Sequence, residues 1–118
     1  MSSRDDAPDV ELLWWRGCPS WGQALDLVRA EMRRLGLDPA ALAVREVHDD
    51  GEAERERFPG SPTVRVNGLD IQDPGASALG LTCRVYRLRD GRISALPDPA
   101  DVAAALEAAL EGGQTRGE

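Results

Sequence analysis

A short apolar run, followed at once by Gly-Cys-Pro and an amphipathic segment, constrains this chain most strongly. Residues 10–15, VELLWW, form an apolar run of strand length bounded by turn-forming residues, which is typical of a buried strand. From Trp21 apolar residues recur with helical spacing, at Trp21, Ala24, Leu25, Val28, Met32 and Leu35. Gly36 is a stop signal, and Pro19 suits the first helical turn, where its missing N–H would have no partner. The sequence therefore predicts a strand–turn–helix unit with Cys18 in the turn.

The rest of the chain alternates between strand and helix patterns. Residues 42–47 alternate and are β-branched, which predicts a second strand, and residues 49–58 place acidic residues before arginines, as in a short helix. Asn67-Gly68 separates two apolar arms and predicts a β-hairpin with a type I′ turn. A second hairpin would turn at Asp90-Gly91.

The last helix completes an α/β pattern. It begins with Asp98 as the N-cap and Pro99 in the first helical position, and Gly112 predicts its end. The predicted order is β-α-β-α-β-β, a loop or hairpin insertion, then α. A right-handed crossover makes the first two strands parallel, and the hairpins are antiparallel. The expected fold class is α/β, a mixed sheet with helices on both faces.

Composition limits the partners and the location. The 118 residues are most simply one domain, residues 10–110, with a flexible arm over residues 1–9 and a flexible tail over residues 111–118. A formal charge of −7 argues against nucleic acid and anionic membranes as partners. The sequence has no signal-peptide pattern and no apolar run of about 20 residues, so a cytoplasmic location is expected. There the two cysteines would stay reduced unless they react with each other.

Cys18 stands where thiol chemistry would need it. Unpaired N–H groups at the start of a helix favour the thiolate, which is the attacking species in disulfide exchange. Arg16 would add to this if its side chain folded back toward the sulfur. The alternative is that Cys18 packs as a small buried hydrophobe. The strand–turn–helix setting favours the chemical interpretation.

A second thiol next to Cys18 is missing, because Trp21 occupies the position that would complete Cys-x-x-Cys. Indole cannot resolve a mixed disulfide. Trp21 fits the apolar helix face and is interpreted as a packing residue, like Trp14 and Trp15. Cys83 is the other candidate partner, since the loop before it, QDPGASALGLT, would start near the rim of the site. The competing interpretation is a buried Cys83 that opens a strand over residues 83–88.

Two motifs resemble the thioredoxin-like fold over residues 10–110. They are Cys18-Pro19 at the first strand-to-helix junction and Ser61-Pro62-Thr63 before the third strand. The resemblance implies a cis peptide before Pro62, with this proline facing Cys18. It also implies that the backbone preceding Pro62 is exposed and pairs with a substrate peptide or thiol.

The stretches GCPSW, FPGSPTVRVNG and GLTCRVYR further resemble small thioredoxin-like proteins grouped as alkylmercury-lyase-like. In that family two cysteines recur together, and Cys18 and Cys83 match them. Organomercurial lyases use two cysteines with an aspartate that protonates the departing carbon. Asp70 and Asp73 are the candidates for this aspartate by proximity in sequence.

Three functions remain open, and whether the chain is an enzyme stays open with them. In the first, a thiol-disulfide oxidoreductase, Cys18 attacks and Cys83 or a glutathione-type thiol resolves. In the second, Cys18 and Cys83 clamp a soft metal such as mercury, with or without lyase activity. The third is a non-catalytic thioredoxin-like binding module.

The predicted partner is a thiol- or disulfide-bearing protein or small molecule, or a soft metal, and neither nucleic acid nor a membrane. No cofactor is predicted, because no Gly-rich phosphate loop follows a strand. One histidine, His48, interpreted as a solvated turn residue, and two distant cysteines argue against a structural zinc site. The residues predicted to bind substrate are Arg16, Pro19, Trp21, Ser61, Pro62 and Thr63.

Overall fold

The computed structural model describes residues 7–75 and 78–116. Its elements follow the predicted order. They are β1 (Val10–Trp14), α1 (Trp21–Arg34), a 3₁₀ turn (Pro39–Ala41), β2 (Ala43–Glu46), α2 (Asp50–Arg55), β3 (Thr63–Val66), β4 (Leu69–Asp70), β5 (Tyr86–Arg87), β6 (Ile93–Ser94) and α3 (Pro99–Arg116). No helix in the described ranges is long and apolar enough to cross a bilayer.

Four strands form a mixed sheet in the order β2-β1-β3-β4, and β5 and β6 form a separate two-stranded ribbon. Leu12 of β1 lies opposite Val44 of parallel β2 and opposite Val64 of antiparallel β3. The predicted α/β class, with a parallel first pair and antiparallel later strands, is confirmed.

Successive residues of β1 face opposite sides of the sheet, as strand geometry requires. Leu12 packs on one side with Val28 of α1 and Leu106 of α3, and all three are fully buried. Leu13 packs in a second cluster with Phe58, and the other buried members of that cluster are Val47 and Ala53. The apolar run in β1 is therefore explained by two cores, with α1 and α3 in one and α2 in the other.

Local turn chemistry fixes several boundaries. Asn67 and Gly68 have φ of 53° and 81°, the left-handed pair that a type I′ turn needs, so the predicted hairpin is confirmed. Gly36, at φ 80°, follows the last turn of α1 as predicted. The prediction for Pro19 was wrong, because it precedes the N-cap Ser20 rather than lying in the first helical turn. Cys18 N–H donates to Trp15 O at 3.0 Å, and this separate turn delays the helix to Trp21.

The ends of the chain differ from prediction. The helix α3 begins as predicted, with Asp98 Oδ1 accepting from Ala100 N–H at 3.0 Å, but it continues to Arg116 instead of ending before Gly112. Glycine costs a helix only about 1 kcal/mol and ends it when its backbone turns left-handed. Residues 111–116 of the predicted tail are therefore helical, and residues 117–118 lie outside the described ranges. Of the predicted arm, residues 1–6 lie outside them too, while Asp9 N–H donates to Asn67 Oδ1 at 2.8 Å.

Candidate thiol site

Three segments distant in sequence meet at one point of the molecule. They are the turn after β1, which carries Cys18, the segment before β3, which carries Ser61, and the segment before β5, which carries Cys83. Ser61 and Cys83 form a parallel β-bridge. Ser61 N–H donates to Thr82 O, and Arg84 N–H donates to Ser61 O, both at 2.8 Å. Residues 82–84 therefore run along Ser61 as a short extra strand.

Cys18 is held against Ser61. Its side chain is buried, with 2% of the residue exposed, and its thiol donates to Ser61 O at 3.3 Å. Trp15 N–H donates to Ser61 Oγ at 3.0 Å, which fixes the same turn from its other end. Ser61, itself fully buried, therefore positions both the Cys18 turn and the segment that carries Cys83.

Cys83 lies exposed beside Cys18, and both cysteines are free thiols. Partial removal of its sulfur from water raises the pKa of Cys83, and the neighbouring Cys18 raises it further. Both cysteines lie against Ser61, Cys18 through its thiol and Cys83 through the β-bridge. The sequence left open whether Cys83 reaches Cys18, and the fold brings them together.

A buried ion pair anchors the chain just after Cys83. The Arg84 guanidinium donates to both carboxylate oxygens of Asp70, at 2.7 and 2.9 Å, and to Gln72 O at 2.5 Å. It lies 4.3 Å above the ring of Tyr86, whose hydroxyl donates to Pro62 O at 2.6 Å. These contacts hold the segment carrying Cys83 against the β3–β4 hairpin.

Sequence reasoning missed this network. Arg84 and Tyr86 point inward while Val85 between them is 62% exposed, the reverse of the usual alternation of apolar-in and polar-out. The only signal was the strand pattern CRVYR, which places Arg84 and Tyr86 on one face. Which face is buried depends on the ion pair with Asp70, and the fold alone brings Asp70 close to Arg84.

The predicted substrate-binding residues differ in their exposure. Arg16 and Pro19 are exposed, whereas Ser61, Pro62 and Thr63 are buried. Trp21 is half-buried and stacks on Trp14, with ring centroids 4.0 Å apart and planes 17° apart, so the structure assigns it packing contacts.

The Ser61-Pro62 peptide is cis, as the resemblance implied. The expectation that the backbone before Pro62 is exposed was wrong. The N–H and the C=O of Ser61 are both bonded to residues 82–84 of the same chain. A substrate backbone cannot pair there while this segment stays in place.

The two aspartates proposed for a lyase differ in their surroundings. Both oxygens of Asp70 accept from Arg84, so this carboxylate is tied into an ion pair. Asp73 accepts from Gly75 N–H at 2.8 Å and lines an open groove of about 410 Å³ whose wall includes Cys83. Asp73 is the one of the two with access to this groove.

Among the described residues, no group of three or more His, Cys, Asp and Glu side chains could hold a metal ion. His48 is exposed and lies 3.1 Å from Glu52 Oε1. That hydrogen bond raises the pKa of His48, with a smaller contribution from the charge of Glu46. Comparison of the chain with protein-family models, with curated proteins and with solved structures found no match.

Proposed function

We propose that this chain is a thioredoxin-like thiol protein in which Cys18 and Cys83 cycle between a dithiol and a disulfide. The observation that carries the proposal is that two free thiols from segments far apart in sequence both lie against Ser61, with Cys18 Sγ 3.3 Å from Ser61 O and Cys83 in a β-bridge with Ser61. The order of elements and the Cys-Pro turn between β1 and α1 support the thioredoxin-like assignment.

The proposed reaction is thiol–disulfide exchange. The two thiols transfer two electrons and two protons to an external disulfide, which leaves as two thiols, while the protein retains a Cys18–Cys83 disulfide. A glutathione-type thiol returns the protein to the dithiol by the reverse exchange. The proposal places the protein in the cytoplasm, where such thiols are abundant, with a disulfide-bearing protein or small molecule as its partner.

The first test is whether the folded protein forms this disulfide reversibly. Reduced protein is equilibrated in buffers of increasing oxidised-to-reduced glutathione ratio, quenched with acid, and analysed by intact mass and peptide mapping. We expect the loss of two hydrogen atoms and a Cys18–Cys83 cross-link that dithiothreitol removes. Cys18→Ser and Cys83→Ser are the matched controls and cannot form it. A folded wild-type protein without the cross-link in the most oxidising buffer would disprove the proposal.

Soft-metal binding is the second candidate, and the composition of the site favours it. Two thiols that both lie against Ser61 suit the linear two-sulfur coordination of Hg(II). Titration of the reduced protein with mercuric ion should then give one ion per chain. Cys83→Ser should weaken this binding strongly, and unchanged affinity in that variant would remove the clamp.

The third candidate, a binding module without redox chemistry, is favoured by the burial of Cys18. Its prediction is opposite to that of the first candidate. Both thiols would stay reduced across the glutathione series while the protein remains folded, so the same experiment separates the two.

A further inference from the structure

The two thiols differ sharply in access to solvent. Cys18 is 2% exposed and its thiol donates a hydrogen bond to Ser61 O, whereas Cys83 is exposed at the surface. Thiol–disulfide exchange requires the incoming sulfur to approach the attacked sulfur along the line of the breaking bond. An external disulfide reaches Cys83 directly, but it reaches Cys18 only if the residues packed around Cys18 move aside.

Displacing residues 82–84 has an identifiable cost. It would break two backbone hydrogen bonds to Ser61, each 2.8 Å long. It would also pull on Arg84, which is held by both oxygens of Asp70 and lies buried at 7% exposure. Leaving a buried charge without its partner is among the most unfavourable changes in a folded protein. Residues 82–84 are therefore held in place as a fixed part of the fold beside Ser61.

An open groove leads to Cys83. It has a volume of about 410 Å³, at the lower end of the range for small-ligand sites. Its walls include Pro59, Asp73, Thr82 and Val85 beside Cys83. The groove offers a mixture of polar and apolar surface next to an exposed sulfur, which suits a small disulfide. The edge at Ser61, where an extended protein substrate would pair, is already filled.

We propose that Cys83, and not Cys18, is the thiol that exchanges with substrate, and that the substrate is a low-molecular-weight disulfide bound in the groove beside it. This inference rests on the proposed redox function. It reverses the roles predicted from the sequence, in which Cys18 attacks and Cys83 resolves.

The proposed reaction proceeds in two balanced steps. The Cys83 thiolate attacks one sulfur of R–S–S–R, a Cys83–S–S–R bond forms, and the first R–S⁻ leaves and takes up the proton that Cys83 released. The Cys18 thiolate then attacks Cys83 Sγ, the bond from Cys83 to substrate breaks, and the second R–S⁻ leaves with the proton from Cys18. The protein is oxidised by two electrons to the Cys18–Cys83 disulfide, and the substrate is reduced to two thiols.

The raised pKa of Cys83 affects the rate of the first step but does not decide which of the two thiols reacts with substrate. A raised pKa leaves less thiolate at neutral pH, while each thiolate that forms is the stronger nucleophile. A buried sulfur that substrate cannot reach gains nothing from its own ionisation. Access therefore decides which thiol meets the substrate.

The test traps the first intermediate with oxidised glutathione as the probe. Cys18→Ser retains only Cys83, and Cys83→Ser retains only Cys18. Because serine is close in size to cysteine, residues 82–84 should keep their place in both variants. Each folded variant is incubated with oxidised glutathione, quenched with acid at timed intervals and analysed for one glutathione adduct by intact mass. We expect Cys18→Ser to form the adduct faster than Cys83→Ser by about tenfold or more.

Two controls keep the comparison clear. In urea both variants should react at similar rates, which shows that the difference arises from the fold. The double variant, Cys18→Ser with Cys83→Ser, should form no adduct. Equal rates in the folded variants, or faster adduct formation by Cys83→Ser, would overturn the inference. If instead Cys18→Ser reacts faster with a folded protein disulfide, such as that of insulin, than with oxidised glutathione, the small-molecule part is wrong.

The failure of this inference differs from the failure of the proposed function. If wild-type protein forms the Cys18–Cys83 disulfide but the faster adduct is on Cys18, only the order of attack is wrong. If wild-type protein never forms that disulfide in the oxidising glutathione series, the redox function itself is wrong.

Discussion

The Arg84–Asp70 ion pair holds the segment that carries Cys83. Replacing Asp70 by asparagine measures how much this ion pair contributes to the free energy of unfolding. The substitution preserves size but removes the negative charge opposite Arg84. Its NH₂ group also turns a donor toward the guanidinium, where the carboxylate offered only acceptors. The Arg84 side chain is 6% exposed and the Asp70 side chain 13%, so little water can replace the lost partner.

The expected cost follows from this burial. Breaking a buried ion pair by removing one member typically costs about 3–5 kcal/mol, since the remaining charge is left uncompensated. Arg84 keeps its bonds to Gln72 O and Thr63 Oγ1, which offset part of the loss. We therefore expect Asp70→Asn to lower the free energy of unfolding by about 3 kcal/mol. For a domain of this size that corresponds to a fall in Tm of roughly 10 °C.

The assay is urea unfolding of the reduced protein, followed by far-UV circular dichroism. Asp90→Asn is the matched control, because Asp90 pairs with Arg92 at 2.7 Å while their side chains are 53% and 77% exposed. An exposed pair contributes at most about 1 kcal/mol, so the control should change stability little. If Asp70→Asn costs no more than Asp90→Asn, the ion pair does not hold the segment, and residues 82–84 can move away from Ser61 at little cost.

Three further predictions follow from single sites. Gly60 has φ of 132°, and an added Cβ would lie 3.2 Å from Arg84 N. Gly60→Ala should therefore lower the free energy of unfolding by about 2 kcal/mol, and an unchanged midpoint in urea would contradict this. Because Glu52 raises the pKa of His48, Glu52→Gln should lower that pKa in an NMR titration of the single histidine, and a value that stays raised would assign the effect elsewhere. Because the pKa of Cys83 is raised, its alkylation by iodoacetamide in the reduced protein should increase with pH along a curve displaced to higher pH than that of free cysteine. A midpoint at or below that of free cysteine would refute this last prediction.

The features that the sequence predicted well are those determined by neighbouring residues. Asn67-Gly68 forms its hairpin because both residues accept left-handed backbone, and Gly36 follows the last turn of α1 for the same reason. The apolar run of β1 indicated burial on both faces, and the two cores confirm it. Pro19 and Gly112 were misplaced, since each is compatible with a helix boundary without requiring one.

The site was harder to predict, because its geometry depends on contacts between segments distant in sequence. That Cys83 reaches Cys18 depends on the pairing of Ser61 with residues 82–84 and on the ion pair of Arg84. Neither contact leaves a periodic pattern in the sequence. The sequence placed Cys18 at the right turn, but which thiol is covered and which is exposed became visible only in the fold.

The stack of Trp14 on Trp21 gives the molecule an optical signal at its thiol site. Trp14 ends β1 and Trp21 begins α1, so the stacked rings join the two ends of the turn that carries Cys18. Electronic transitions of two indoles 4.0 Å apart couple strongly, and that coupling depends steeply on their separation and angle. A movement of this turn therefore changes the near-UV spectrum without any added label. The tryptophan that stands where a second cysteine would complete the motif thus reports on the conformation of the turn that carries Cys18.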